Sequence, residues 1–125
     1  YNYSSLNLDL IYSRAVLEHV FDPSVVYKSA VNNLSQNRIM LHDIELHSHG
    51  VTTDPDGHYN IPEKLWRIIF GKREYYLNRW TYEDHKSEIL KQNCSIIATS
   101  LHYVQSNKKN NVLTGVSILA KKTFE

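Results

Sequence analysis

The chain has 125 residues, 42% of them hydrophobic, with 14 basic against 13 acidic side chains and a formal net charge of +1. That is one domain with a core of its own and no bulk attraction to nucleic acid or an anionic membrane. No apolar run approaches the ~20 residues that span a bilayer, no signal peptide is visible, and the single Cys94 rules out an internal disulfide, so a reducing, cytoplasmic setting is expected. The chain begins at Tyr1 and its one methionine is Met40, which points to a piece of a longer translation product.

Leu8 to Tyr12 reads as a first, buried strand that ends at Ser13 and turns into one or two helical turns up to Val20. Asp22 then caps a helix with Pro23 at its first position, where the missing N–H is not needed. Val26, Ala30, Val31 and Leu34 recur at helical spacing, and Ser35-Gln36-Asn37 is expected to turn. Arg38 to Leu46 is the second strand, apolar enough to be covered on both faces. A polar, histidine-rich loop follows from His47 to Asn60. Pro62 opens a helix that Gly71 stops, as a residue comfortable at positive φ. Lys72 to Trp80 is a basic and aromatic connection. Thr81 with Asp84 is a variant capping box that starts a helix running to about Gln92, with Asn93 capping its far end. Ser95 to Val104 and Val112 to Lys121 are the third and fourth strands. Their short connection leaves no room for a crossover helix, so they form an antiparallel hairpin.

That order of elements resembles the second half of a class I S-adenosylmethionine-dependent methyltransferase of the type 11/12-like kind. Asp9 to Val20 followed by Asp22-Pro23 looks like the family's fourth strand and the helix after it. Arg38 to Ile44 looks like the fifth strand, and Leu77-Asn78-Arg79-Trp80 with Thr81 to Cys94 is similar to the segment before the sixth. The closing hairpin is what separates this family from dinucleotide-binding Rossmann domains. The resemblance implies an α/β fold, residues 1–125 forming strands four to seven of a Rossmann-like seven-stranded sheet. The strands should lie in the order first, second, fourth, third, and the first should be an exposed edge open to self-association. Two departures stand out. The turn before the second strand carries no glycine. The four glycines, Gly50, Gly57, Gly71 and Gly115, are not spaced to form the family's glycine-rich cofactor turn.

Carried over residue by residue, the resemblance implies that Ser13, Arg14 and Ala15 flank the methionine part of the cofactor, S-adenosylmethionine, whose site is incomplete in this chain. The alternative is a strand end with a solvent-facing arginine. Some relatives, among them ubiquinone-biosynthesis and small-RNA methyltransferases, hold a divalent metal on Glu-x-x-Glu-His at the next helix. Here the first of those positions is Ala15, so no metal is expected, and Glu18 and His19 are read as positioning the helix by hydrogen bonds. His19, Asn78 and Arg79 are expected on the acceptor-substrate side.

Asp43, Glu45, His47 and His49 alternate and so point to one side of an extended chain, with His42, Asp54 and His58 nearby. His47 and His49 are candidate general bases for a hydroxyl or amine acceptor. The rival readings are a plain surface loop and a metal site, since His-x-His suits an ion between alternate strand residues. Ile61 to Trp80 carries five basic and two acidic residues among its aromatics, a net of +3, too mild to imply nucleic acid. Cys94 lacks a histidine partner in sequence and reads as a packed or surface thiol. Three functions remain: methyl transfer by a full-length parent, with this chain supplying the acceptor-side half; a catalytically inactive methyltransferase-like interaction module; or a histidine-rich metal-binding domain. The acceptor itself is not specified by the sequence.

Overall fold

In the computed structural model, which describes residues 5–71, 76–106 and 111–123, the elements follow the order of the hydrophobic pattern. They are β1 (Leu8–Arg14), a 3₁₀ turn (Leu17–His19), α1 (Pro23–Asn33), β2 (Leu34–Glu45), a second 3₁₀ turn (Gly57–Asn60), α2 (Glu63–Phe70), α3 (Tyr82–Lys91), β3 (Cys94–Val104) and β4 (Val112–Lys122). The strands form one sheet in the order β1-β2-β4-β3. β1 and β2 are parallel, while β4 is antiparallel to both β2 and β3.

Helix boundaries follow local chemistry. Asp22 Oδ1 accepts from the Ser24 N–H at 3.0 Å, with Pro23 at the first helical position of α1. Thr81 and Asp84 close a reciprocal capping box at the start of α3. Asn93 takes φ +55° after α3, and its carbonyl accepts both the N–H and the hydroxyl of Thr123, tying the helix end to the end of β4. Gly71 ends α2 differently from expectation. Its φ is −64°, and a Cβ there would sit 2.5 Å from the Arg67 carbonyl oxygen, so close approach rather than positive φ calls for glycine.

α1 and α3 cover one face of the sheet. Tyr27, Ala30 and Val31 of α1 and Ile89 of α3 pack onto Met40 and Ile44 of β2 and Val116, Ile118 and Ala120 of β4. Each fully buried large aliphatic side chain contributes about 1.5–3 kcal/mol. A smaller cluster of Trp66, Phe70 and Leu77 seats α2 against the following connection.

The opposite face carries no helix among the described residues. Leu10 pairs with Ile39 and Tyr12 with Leu41 on that side, and Leu10 and Tyr12 are 55% and 57% exposed. β1 was expected to be buried; it is instead mostly exposed, because it is an edge strand with an uncovered face. A second correction concerns Ser35-Gln36-Asn37. They do not form a turn before the strand but lie within β2, where Leu8 pairs with Leu34 and Leu10 with Ile39. The surplus residues bulge out of the ladder, and Asn37 absorbs the bend at φ +60°.

Candidate functional site

The carboxyl ends of β1 and β2 and the adjoining end of β4 enclose a cleft of about 300 Å³. Open α/β sheets bind ligands at that end of their strands. Arg14, Ala15, Asp43, Glu45, His47 and His102 are among the residues lining it. Asp43 organises the floor. It pairs with the Arg14 guanidinium at 3.6 Å, its Oδ1 accepts the Ser117 hydroxyl at 3.0 Å, and its carbonyl accepts the Ala15 N–H at 3.0 Å. Ala15 and His49 both take φ +51°, so each of the two turns beside the cleft holds a side chain in the left-handed region. Each such residue costs about 1–2 kcal/mol.

Ser13, grouped with Arg14 and Ala15 by sequence, faces the other way. Its register partner is His42, and its hydroxyl meets His42 Nδ1 at 2.7 Å on the helix-covered face. Arg14 and Ala15 alone of the three line the cleft.

The 3₁₀ turn after β1 is held by Asn78. Its Nδ2 donates to the carbonyls of Leu17 (2.6 Å) and Val20 (2.8 Å), its backbone N–H donates to the Glu18 carbonyl, and its Oδ1 accepts the Trp80 N–H. His19 Nδ1 lies 2.9 Å from the Tyr76 carbonyl. A carbonyl only accepts, so Nδ1 is the donor in this bond. Glu18 is 3% exposed, and neither carboxylate oxygen has a hydrogen-bond partner. The expectation that Glu18 positions the helix by side-chain hydrogen bonds is therefore not met; its neighbour Asn78 does that work through the backbone. Burial pushes the Glu18 pKa above the usual carboxylate value, opposed by its own backbone amide, His19 and His49, and reinforced by Glu45.

The alternating residues at the end of β2 and just beyond it do converge, with Asp43 excepted. His49 Nδ1 donates to the His47 carbonyl at 2.9 Å, and its Nε2 lies 2.9 Å from Glu45 Oε2, so both ring nitrogens face acceptors. His47 Nδ1 accepts the His49 backbone N–H at 3.0 Å, and its Nε2 meets Glu45 Oε2 at 3.2 Å, so both ring nitrogens are engaged. The His19 and His49 rings meet edge to face with centroids 5.0 Å apart, which joins the two turns.

Arg79 lies away from this cleft. Its guanidinium donates to the carbonyls of His58 (3.1 Å) and Ile61 (2.6 Å), bonds to the Glu63 carboxylate, and stacks over the Trp66 ring at 4.8 Å. It ties the second 3₁₀ turn to α2. Cys94 is buried, with its thiol pushed up by desolvation, and so is packed rather than reactive. The segment Lys72–Tyr75 of the basic and aromatic connection lies outside the described residues.

Sequence reasoning missed the buried polar group. Glu18, His42, His58 and His85 are all at most 3% exposed. His42 carried a signal, since Met40, His42 and Ile44 share one face of β2. Burial holds His42, His58 and His85 at pKa values of about 4, with Arg79 and His49 adding to the effect at His58. Tyr27 OH and His85 Nδ1 pair at 3.0 Å, which satisfies one side of that ring.

Solved structures share this architecture. A S-adenosylmethionine-dependent methyltransferase from Methanosarcina mazei superposes with a TM-score of 0.65 over 100% of this chain and 64% of its own, at 17% identity. One from Mesorhizobium loti gives 0.62 over 90% and 61%, at 14% identity. The fold is that of S-adenosylmethionine-dependent methyltransferases. Phosphoethanolamine N-methyltransferase 2 of Haemonchus contortus, solved with phosphomonomethylethanolamine and S-adenosylhomocysteine, matches the methyltransferase fold of this chain at 0.58 over 99% and 36%, at 13% identity. The chain thus spans less than two thirds of the length of these methyltransferases. No protein-family model and no curated protein sequence matches it.

Proposed function

We propose that this chain is part of a S-adenosylmethionine-dependent methyltransferase, residues 1–125 supplying the acceptor-side half of its domain. The observation that carries this reading is the cleft at the carboxyl ends of β1 and β2, in a sheet with the methyltransferase strand order. Residues of this chain fit one end of the cofactor only. Arg14 and Ala15 would flank its methionyl end, with Arg14 as the charged group for a carboxylate. None of the four glycines offers the close backbone cradle that the rest of the cofactor needs: a Cβ at Gly57 or Gly71 would run into the chain's own atoms, one at Gly115 would lie 3.3 Å from the Ile44 carbonyl oxygen, and Gly50 lies on an open turn.

The bound cofactor supplies an activated methyl group on a sulfonium, transferred by direct displacement to a nucleophile. The chain's own part is to align the acceptor with that methyl and to keep water away. A base is optional for so reactive a donor. His47 and His49 both hold Nε2 against the Glu45 carboxylate, at 3.2 and 2.9 Å, so Glu45 stands beside whichever of them would act as base. Asn78 acts behind the site by fixing the turn that carries His19, while Arg79 braces the second 3₁₀ turn against α2.

A second reading, an inactive methyltransferase-like interaction module, draws on the uncovered sheet face and the open β1 edge, which also suit self-association. Calorimetry with S-adenosylhomocysteine separates the two. In the protein that contains this chain, Arg14→Glu is expected to weaken binding at least tenfold without changing the circular dichroism. Binding within threefold of the parent would remove Arg14 from the site, and no binding by the parent would favour the module.

A further inference from the structure

The polar residues at the floor of the cleft form one row across the sheet. Arg14 pairs with Asp43 in the β1–β2 ladder and Asp43 with Ser117 in the β2–β4 ladder, while His102 of β3 pairs with Gly115, two residues from Ser117 on the same face of β4. The His102 ring lies over that bare position, since a Cβ on Gly115 would stand 3.6 Å from its Cδ2, and Nε2 reaches Ser117 Oγ at 3.2 Å. The four strands thus contribute one side chain each, in sheet order. The next row on that face, Tyr12, Leu41 and Leu119, is apolar, which sets the polar row apart at the rim.

The direction of its hydrogen bonds is fixed. A serine hydroxyl has one proton. Ser117 gives it to Asp43 Oδ1 at 3.0 Å, so its oxygen accepts from His102, and His102 Nε2 carries hydrogen in the neutral and the charged ring alike. Asp43 Oδ2 lies 3.6 Å from Arg14 Nε. The Arg14 side chain is 75% exposed, and an exposed arginine spreads over many rotamers unless something holds it. A tether at Nε leaves the end of the guanidinium for a ligand carboxylate, which takes two parallel N–H bonds from it.

We propose that Ser117 and His102 are positioning residues for Arg14. His102 fixes Ser117, Ser117 fixes the Asp43 carboxylate, and Asp43 keeps Arg14 over the cleft, where it binds the amino-acid carboxylate of the cofactor. The proposal rests on reading the cleft as the methionyl end of a S-adenosylmethionine site. Holding Arg14 in place before the ligand arrives removes part of the ordering entropy that opposes binding. The effect of both residues passes through Arg14, so it vanishes when Arg14 is gone.

A double-mutant cycle reads that dependence. The probe is S-adenosylhomocysteine, titrated by calorimetry into the protein that contains this chain. Ser117→Ala and His102→Phe should each weaken binding roughly threefold or more. His102→Gln, whose amide donates from the same place, should stay close to the parent. In an Arg14→Gln background, Ser117→Ala should add no further loss. Nitrogen NMR of the same protein should find hydrogen on His102 Nε2. If Ser117→Ala and His102→Phe bind as tightly as a parent that does bind S-adenosylhomocysteine, the proposal is overturned and the cofactor reading stands. An undiminished loss from Ser117→Ala in the Arg14→Gln background would also overturn it, making the row a brace for the sheet. So would a His102 ring with a bare Nε2, whatever the cofactor result. A parent that binds no S-adenosylhomocysteine would remove the cofactor reading, and the proposal with it.

Discussion

Asn78 shows how one side chain can hold a site that it does not enter. Its amide bonds the carbonyls of Leu17 and Val20 and the N–H of Trp80. Asn78→Ala would strand those groups, each at about 1–3 kcal/mol. Loss of about 2–4 kcal/mol in urea unfolding is expected, with the turn around Glu18 loosened first. The buried histidines set a pH window. His42, His58 and His85 have folded pKa values near 4 against 6.5 for the free side chain. Between those values the unfolded chain takes up protons that the folded chain refuses, so stability is full above pH ~6.5 and falls toward pH ~4. The loss is about 2 kcal/mol per histidine by pH 5. Urea midpoints at pH 7 and pH 5 measure it, and an unchanged midpoint would contradict neutral burial. At this scale the sequence was least informative. His47 and His49 stood out because alternation marks them, whereas nothing local marks Glu18 as buried, and the turn that carries it is bonded to Tyr76 and Asn78, far along the chain.

Elements were more legible, because their signals are local. The capping box at Thr81 and the Asp22-Pro23 start are written in four residues or fewer, and both helices begin there. The hairpin of β3 and β4 followed from connection length alone. What failed were places where tertiary pairing overrides local chemistry. Ser35-Gln36-Asn37 has the composition of a turn, yet the ladder with β1 draws it into β2 as a bulge. Gly71 has the identity of a left-handed cap, yet the Arg67 carbonyl, not its φ, requires glycine. Arg79 was placed with the acceptor residues by its position in a matched segment. Its guanidinium in fact spans from the second 3₁₀ turn to α2, a contact set that no spacing encodes.

At the scale of the whole molecule, strand order and the uneven cover of the sheet carry the account. α1 and α3 bury one face, while Leu10 and Tyr12 stand exposed on the other, on an edge strand that has no outer partner among the described residues. The strand order was readable through the resemblance to the methyltransferase sheet, while the short connection gave only the β3–β4 hairpin. The likeness to methyltransferases extends over the chain but over less than two thirds of theirs. The central claim is that this chain is the acceptor-side part of a divided cofactor site. Calorimetry of S-adenosylhomocysteine on residues 1–125 and on the same chain extended upstream in its natural reading frame tests it most directly. The account predicts one-to-one binding by the longer protein and none by residues 1–125 alone. Binding by neither would contradict it.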